Sequence, residues 1–226
     1  MRKALVVVPV VGVLLLVGGD LLVGSLMESR LEQLAQRRLG LRERPTVDLQ
    51  GFPFAYHALV RRFPGAALQG RNLRVEGLAV DRFVLELRDV RLVSGDARGD
   101  DTLRARAGRG TVEVTQEALR QYLERRGIGV RVELRGPSHV RVVGRTSVLG
   151  FEAEASAEGV LAMKGRSLEF RPARVTVGDG ISVPASALSF RVQIPEPLPG
   201  MQYEDLIIER GRAILSFRFH GAVLPS

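Results

Sequence analysis

From residue 71 onward the chain alternates apolar and charged residues with a period of two. Leu73 and Val75, then Phe83, Leu85 and Leu87, then Val90 and Leu92, then Leu103, Ala105 and Ala107, then Val112 and Val114 each alternate with Arg, Glu or Asp. A period of two sends successive side chains to opposite faces of a strand, leaving one face apolar and one wet. That pattern belongs to antiparallel sheet covered on one side. It resumes at Val130, Val132 and Leu134 and continues, strand after strand, to Leu188, Phe190 and Val192. The segment Pro195-Glu196-Pro197-Leu198-Pro199-Gly200-Met201 breaks it. A closing hairpin is expected beyond, Leu206 to Glu209 and Ala213 to Phe219, turning at Arg210-Gly211-Arg212. Gly95, Gly99, Asp100 and Asp101 read as a turn, and so does Gly108-Arg109-Gly110.

One helix interrupts this pattern and another precedes it. Thr115 is a good N-cap, Glu117 suits the first turn, Arg125 and Arg126 suit the last, and Gly127 closes a helix over 115–126. Its apolar positions, Ala118, Leu119, Tyr122 and Leu123, form one stripe. Met27, Leu31, Leu34, Ala35 and Leu39 recur at helical spacing, and Gly40 stops that helix. Thr46 to Leu49 reads as a first strand, followed by Gly51-Phe52-Pro53-Phe54. Many amphipathic strands and two short covers predict an α+β fold whose sheet keeps an uncovered apolar face, and such a face is a groove for something apolar.

The N-terminus carries the strongest signal about compartment. Arg2 and Lys3 precede a run, Ala4 to Met27, of 24 residues interrupted only by the charge of Asp20. A bilayer core needs about 20 residues, and the positive-inside rule places Arg2 and Lys3 in the cytoplasm. The expected organisation is a membrane anchor or signal segment over 1–27 and an exported α+β domain over 28–226. That is a single-pass protein of the cell membrane with its C-terminal domain outside the cytoplasm. A cleaved signal is the rival, because Val17-Gly18-Gly19 and Val23-Gly24-Ser25 offer small residues at the right spacing.

Chemistry is sparse. The chain has no Cys, which excludes disulfide frameworks, thiolate metal sites and thiol catalysis. Three histidines, His57, His139 and His220, stand in unrelated contexts, so no metal site is expected. No nucleophile elbow, P-loop or dinucleotide fingerprint is present. Glu152 and Glu154, two apart on a strand and roughly 7 Å from each other, are in range of a hydrolytic carboxylate pair, but they read as a solvated face. His57 beside Tyr56 has no partner in sequence, and Asp179 reads as a turn residue. No catalytic residue and no cofactor are expected. The net charge of +8 comes from Arg, since Lys3 and Lys164 are the only lysines. Such a surface suits anionic lipid headgroups or phosphates. Nucleic acid is not expected, with 5% aromatic residues and no basic helix. Arg37-Arg38, Arg61-Arg62 and Arg125-Arg126 are the paired candidates, Arg61 and Arg62 the best placed because they follow the Phe-rich segment.

Gly51-Phe52-Pro53-Phe54, some way behind an apolar N-terminus, resembles the actinobacterial LmeA family of phospholipid-binding envelope proteins. Asp20 at the end of the apolar run, the acidic helix Glu28 to Leu39, Val47, and Leu198-Pro199-Gly200-Met201 with Gly211 in the last turn carry the rest of the likeness. It extends over residues 20–224. Ala55-Tyr56-His57 departs from the Leu-Thr-Gln-like triplet of the family. The resemblance implies a curved antiparallel sheet wrapping a helix in an elongated, tubular lipid-binding-like fold after an N-terminal transmembrane helix.

The expected function is therefore phospholipid binding in the cell envelope, at the cytoplasmic membrane, with anionic headgroups toward Arg61 and Arg62. Acyl chains would lie among Phe52, Phe54, Leu119, Tyr122 and Leu123. Because Pro53 pushes Phe52 toward an extended conformation, Phe52 and Phe54 are expected on one side, as a lip. The alternatives are a ligand-free structural module in envelope assembly and an enzyme acting on envelope glycolipids.

Overall fold

The computed structural model describes residues 2–93, 102–148, 151–177, 181–182, 189–194 and 200–223. Its elements in order are α1 (Arg2–Arg38), β1 (Thr46–Gln50), α2 (Phe54–Val60), β2 (Arg62–Val75), β3 (Leu78–Val93), β4 (Thr102–Thr115) and α3 (Gln116–Arg125). They continue as β5 (Val130–Leu134), β6 (His139–Val148), β7 (Phe151–Lys164), β8 (Ser167–Val177), β9 (Ile181–Ser182), β10 (Phe190–Gln193), β11 (Gln202–Glu209) and β12 (Arg212–Val223). One sheet has the order β1-β2-β3-β4-β12-β11; the other runs β10-β8-β7-β6-β5, with β9 also paired to β8. The class is α+β, with two sheets where one was expected. The chain divides into two compact units. The first takes Met1–Gln69, Leu85–Gly108 and His220–Ser226; the second takes Gly70–Val84 and Arg109–Phe219.

In the first unit, one face of α1 meets β1 and α2 through residues spaced by four, the interval that stacks side chains on one side of a helix. The Asp20 carboxylate accepts from the backbone N–H of Phe54 and of Ala55, both at 2.7 Å. Glu28 accepts from Leu49 N–H at 3.0 Å, and Glu32 from Val47 N–H at 3.3 Å. On its other side β1 pairs antiparallel with β2, Val47 opposite Leu68 and Leu49 opposite Ala66. The amides of Val47 and Leu49 point away from that partner, and the two glutamates satisfy them. Leu31, Leu49, Phe63 and Val90 are buried in this unit.

The expected membrane span over residues 4–27 is overturned. Among the described residues no helix is long and apolar enough to cross a membrane. The physical reason lies at Asp20, which is 8% exposed and bound to protein backbone. From that residue on, α1 packs against its own unit. The uncharged run before it, Ala4 to Gly19, has 16 residues. At about 1.5 Å per residue such a run rises roughly 24 Å, short of the ~30 Å hydrocarbon core. The single-pass cell-membrane localisation falls with the span.

In the second unit, α3 packs its stripe onto a sheet. Tyr122 and Leu123 join Val132, Val142, Ala157, Phe170 and others in one buried cluster. Thr115 caps the helix, its hydroxyl accepting from Ala118 N–H at 3.2 Å. Gln116 ties that end down. Its N–H donates to the Gly211 carbonyl, and its side-chain oxygen accepts from Leu134 N–H at 2.8 Å.

Several expected breaks are absent. Gly108-Arg109-Gly110 lies inside β4, because neighbours on both sides, β3 and β12, hold the segment extended. The strands expected at Phe83–Leu87 and Val90–Leu92 are one strand, with Asp89 at φ 50° marking the irregularity between them. The turn expected at 95–101 and Leu198-Pro199 lie outside the described residues.

Candidate functional site

The sequence-derived site residues fall into two groups, one in each unit. Leu119, Tyr122 and Leu123 share a partly enclosed cavity in the second unit. Its volume is about 50 Å³, and Leu161, Leu168 and Leu206 are among the strand residues facing it. The expected open groove is therefore mostly filled, because the stripe of α3 occupies the inner face of the sheet. At about 10–15 Å³ per water-sized site, the remaining space takes only a few such groups.

The lining is aliphatic apart from Tyr122 and the exposed Gln193. Tyr122 is 4% exposed, and its hydroxyl is a buried side-chain polar atom with no hydrogen-bond partner among the described residues. Leaving such a group unpaired costs about 1–3 kcal/mol. The Arg126 guanidinium lies 5.1 Å from the centre of the Tyr122 ring, a cation–π contact with its face. The strand residues of this lining were not among those singled out from the sequence. Their signal was the inward position of each alternating pair, which marks a core equally well.

Phe52, Phe54, Arg61 and Arg62 belong to the first unit. The chain leaves β1 at Gly51, φ 120°, where a Cβ would come within 2.7 Å of Pro64 Cδ. It then enters α2, a helix whose N-cap residue, Pro53, makes no side-chain cap bond. Asp20 supplies the cap from α1 instead. The two phenylalanines differ in environment. Phe52 is 62% exposed, whereas the Phe54 ring packs onto Gly24 of α1, where an added Cβ would meet ring carbons at 3.0 Å. They do not form the single lip expected from the sequence, because the backbone turns into α2 at Phe54. Tyr56, Leu59 and Val60 of α2 are also exposed, as are Leu21, Leu22 and Leu26 of α1.

Arg61 closes α2 in a left-handed conformation, φ 52°, and Arg62 begins β2. Arg62 donates from two nitrogens to Asp89, at 2.7 and 3.1 Å, and Arg91 stands 3.6 Å from the same carboxylate. The hydrogen bond from Arg62, reinforced by its charge and that of Arg91, holds the Asp89 pKa below its usual value. Val60, Arg61, Arg62, Arg91, Leu92 and Val93 line an open depression of about 420 Å³. This larger hollow is open to solvent and has three arginines in its lining; the smaller one in the second unit is apolar.

The residues weighed for catalysis are engaged elsewhere. His57 Nδ1 lies 2.9 Å from the Arg62 carbonyl, and its ring packs on Tyr56 and Phe63. Glu154 pairs with Arg131 at 3.4 Å on an exposed face. The side chain of Glu152 and residue Asp179 lie outside the described residues. Among the described residues no group of three or more His, Cys, Asp or Glu is placed to hold a metal.

A family model described as LmeA-like phospholipid-binding matches residues 18–216, most of the chain. No curated protein and no solved structure matches it.

Proposed function

Because the chain belongs to the LmeA-like phospholipid-binding family, we propose that it holds the acyl part of a phospholipid in the cavity beneath α3. The observation that supports this reading is the nearly all-aliphatic lining of that cavity. Burying hydrocarbon contributes about 0.8 kcal/mol per methylene, so a sixteen-carbon tail carries on the order of 12 kcal/mol of gross transfer energy. At 50 Å³ the cavity must widen to take one, and α3 is the element that moves. As a ten-residue helix packed through one stripe, it separates from the sheet more readily than a strand with ladder bonds on both sides.

The lipid is anionic in this proposal. Exposed Phe52, Tyr56, Leu59 and Val60 beside Arg61 and Arg62 make an apolar patch with a basic margin, which suits transient contact with an anionic phospholipid surface. Each Arg near such a surface contributes about 1 kcal/mol, screened within a Debye length. The small cavity favours a second reading, a structural module whose sheet face packs shut.

Native mass spectrometry of the gently purified protein separates the two. Co-purified phospholipid that is lost in Leu119→Trp, which fills the cavity, supports the first; lipid-free wild-type protein that also takes up none from vesicles supports the second. The surface contact is tested with phosphatidylglycerol and phosphatidylcholine vesicles. Salt-sensitive binding to the first, weakened in the double variant Phe52→Ala, Leu59→Ala, is expected; equal, salt-indifferent binding to both overturns it.

A further inference from the structure

Tyr122 lines the aliphatic cavity and is buried, and among the described residues its hydroxyl has no acceptor for its proton. No described residue hydrogen-bonds that oxygen. The ring fills space and carries the contact with Arg126, and a phenylalanine would serve both purposes. A buried hydroxyl without a partner is a deficit that a ligand removes by presenting an acceptor. The acceptor must be neutral, since a phosphate oxygen would bring its charge into an apolar site. It must also be joined to hydrocarbon, because the rest of the lining offers only aliphatic contact.

We propose that the Tyr122 hydroxyl donates a hydrogen bond to the ester carbonyl of a bound acyl chain, so that the cavity selects ester-linked over ether-linked lipids. An ether lipid has the same tail and headgroup but lacks the carbonyl, leaving the Tyr122 hydroxyl without that acceptor. This rests on the phospholipid-binding reading of the same cavity.

The test is competition, followed by native mass spectrometry on the full chain, between dipalmitoyl phosphatidylglycerol and its di-O-hexadecyl analogue. One recovered hydrogen bond corresponds to a preference of roughly two- to tenfold for the ester lipid in the wild type. Tyr122→Phe is expected to remove that preference and to melt, lipid-free, at the wild-type temperature or above. Equal wild-type binding of the two lipids overturns the proposal, as does a preference that survives in Tyr122→Phe. A lower melting temperature in the lipid-free variant also overturns it, since the hydroxyl would then have a partner, such as a buried water, without ligand. If the wild type binds neither lipid, the phospholipid reading of the cavity falls and takes this inference with it.

Discussion

Replacing Asp20 with Ala removes both acceptors from the start of α2, and the structure allows the consequence to be worked out. The carboxylate receives two N–H donors at 2.7 Å, from Phe54 and Ala55, and is itself buried. Hydrogen bonds to a charged group contribute about 1.5–3 kcal/mol each, and loss of an N-cap alone costs about 0.5–2. Water reaches the freed amides and offsets part of the loss, so the net effect is roughly 2–4 kcal/mol. It falls on α2 first, because that helix has no buried residue of its own to hold it. The assay is hydrogen exchange at the Phe54 and Ala55 amides, where 2–4 kcal/mol corresponds to about 30- to 700-fold faster exchange. Asp20→Asn keeps one oxygen acceptor and turns the other position into a donor facing an amide, so it should fall between wild type and Ala. Exchange in Asp20→Ala within threefold of wild type would refute the assignment of Asp20 as the cap of α2.

Three further outcomes are expected. Gly51→Ala should lose roughly 2–4 kcal/mol in urea unfolding, from the left-handed backbone and the crowding at Pro64; a loss under 0.5 would contradict this geometry. Leu123→Ala, at a side chain 1% exposed, should cost about 2–5 kcal/mol, and a loss under 1 would mean that the α3 stripe does not anchor the second unit. Glu117 has its pKa lowered from 4.5 to about 2 by the hydrogen bond from Arg120, helped by Gln121. Its small contribution to stability is thus present above 4.5 and lost as pH falls toward about 2; carboxyl NMR should show this titration, and Arg120→Ala should return it toward 4.5.

Much of the second unit was legible because its signals are local. Thr115, Gly127 and the stripe between them gave α3 nearly to the residue, and the turn at Gly211 gave the last hairpin. The first unit was harder because its determinants are distant in sequence. The residues of α2, Phe-Ala-Tyr-His-Ala-Leu-Val, show no buried stripe, and the cap comes from 34 residues away. In sequence Asp20 is a charge interrupting a hydrophobic run; in the fold its carboxylate is a tertiary ligand for backbone. The start of β2 was hidden for another reason: Pro64, Gly65, Ala66 and Ala67 are too small, or too unlike strand residues, to show alternation. At the candidate site, Leu119, Tyr122 and Leu123 were legible as one surface. That the surface is nearly closed depends on how strands far apart in the chain pack against it.

The two glutamates of α1 that receive β1 amides have a consequence for how the chain behaves in a crowd. β1 ends its sheet, and the outermost strand of any sheet is a template on which another molecule's strand can add. Glu28 and Glu32 occupy that template, with two carboxylates where a foreign backbone would have to dock. Docking there would displace both and bury charge beside the incoming chain. The helix thus works as a guard against polymerisation, and a chain that lost the two carboxylates would present a sticky edge open to self-association.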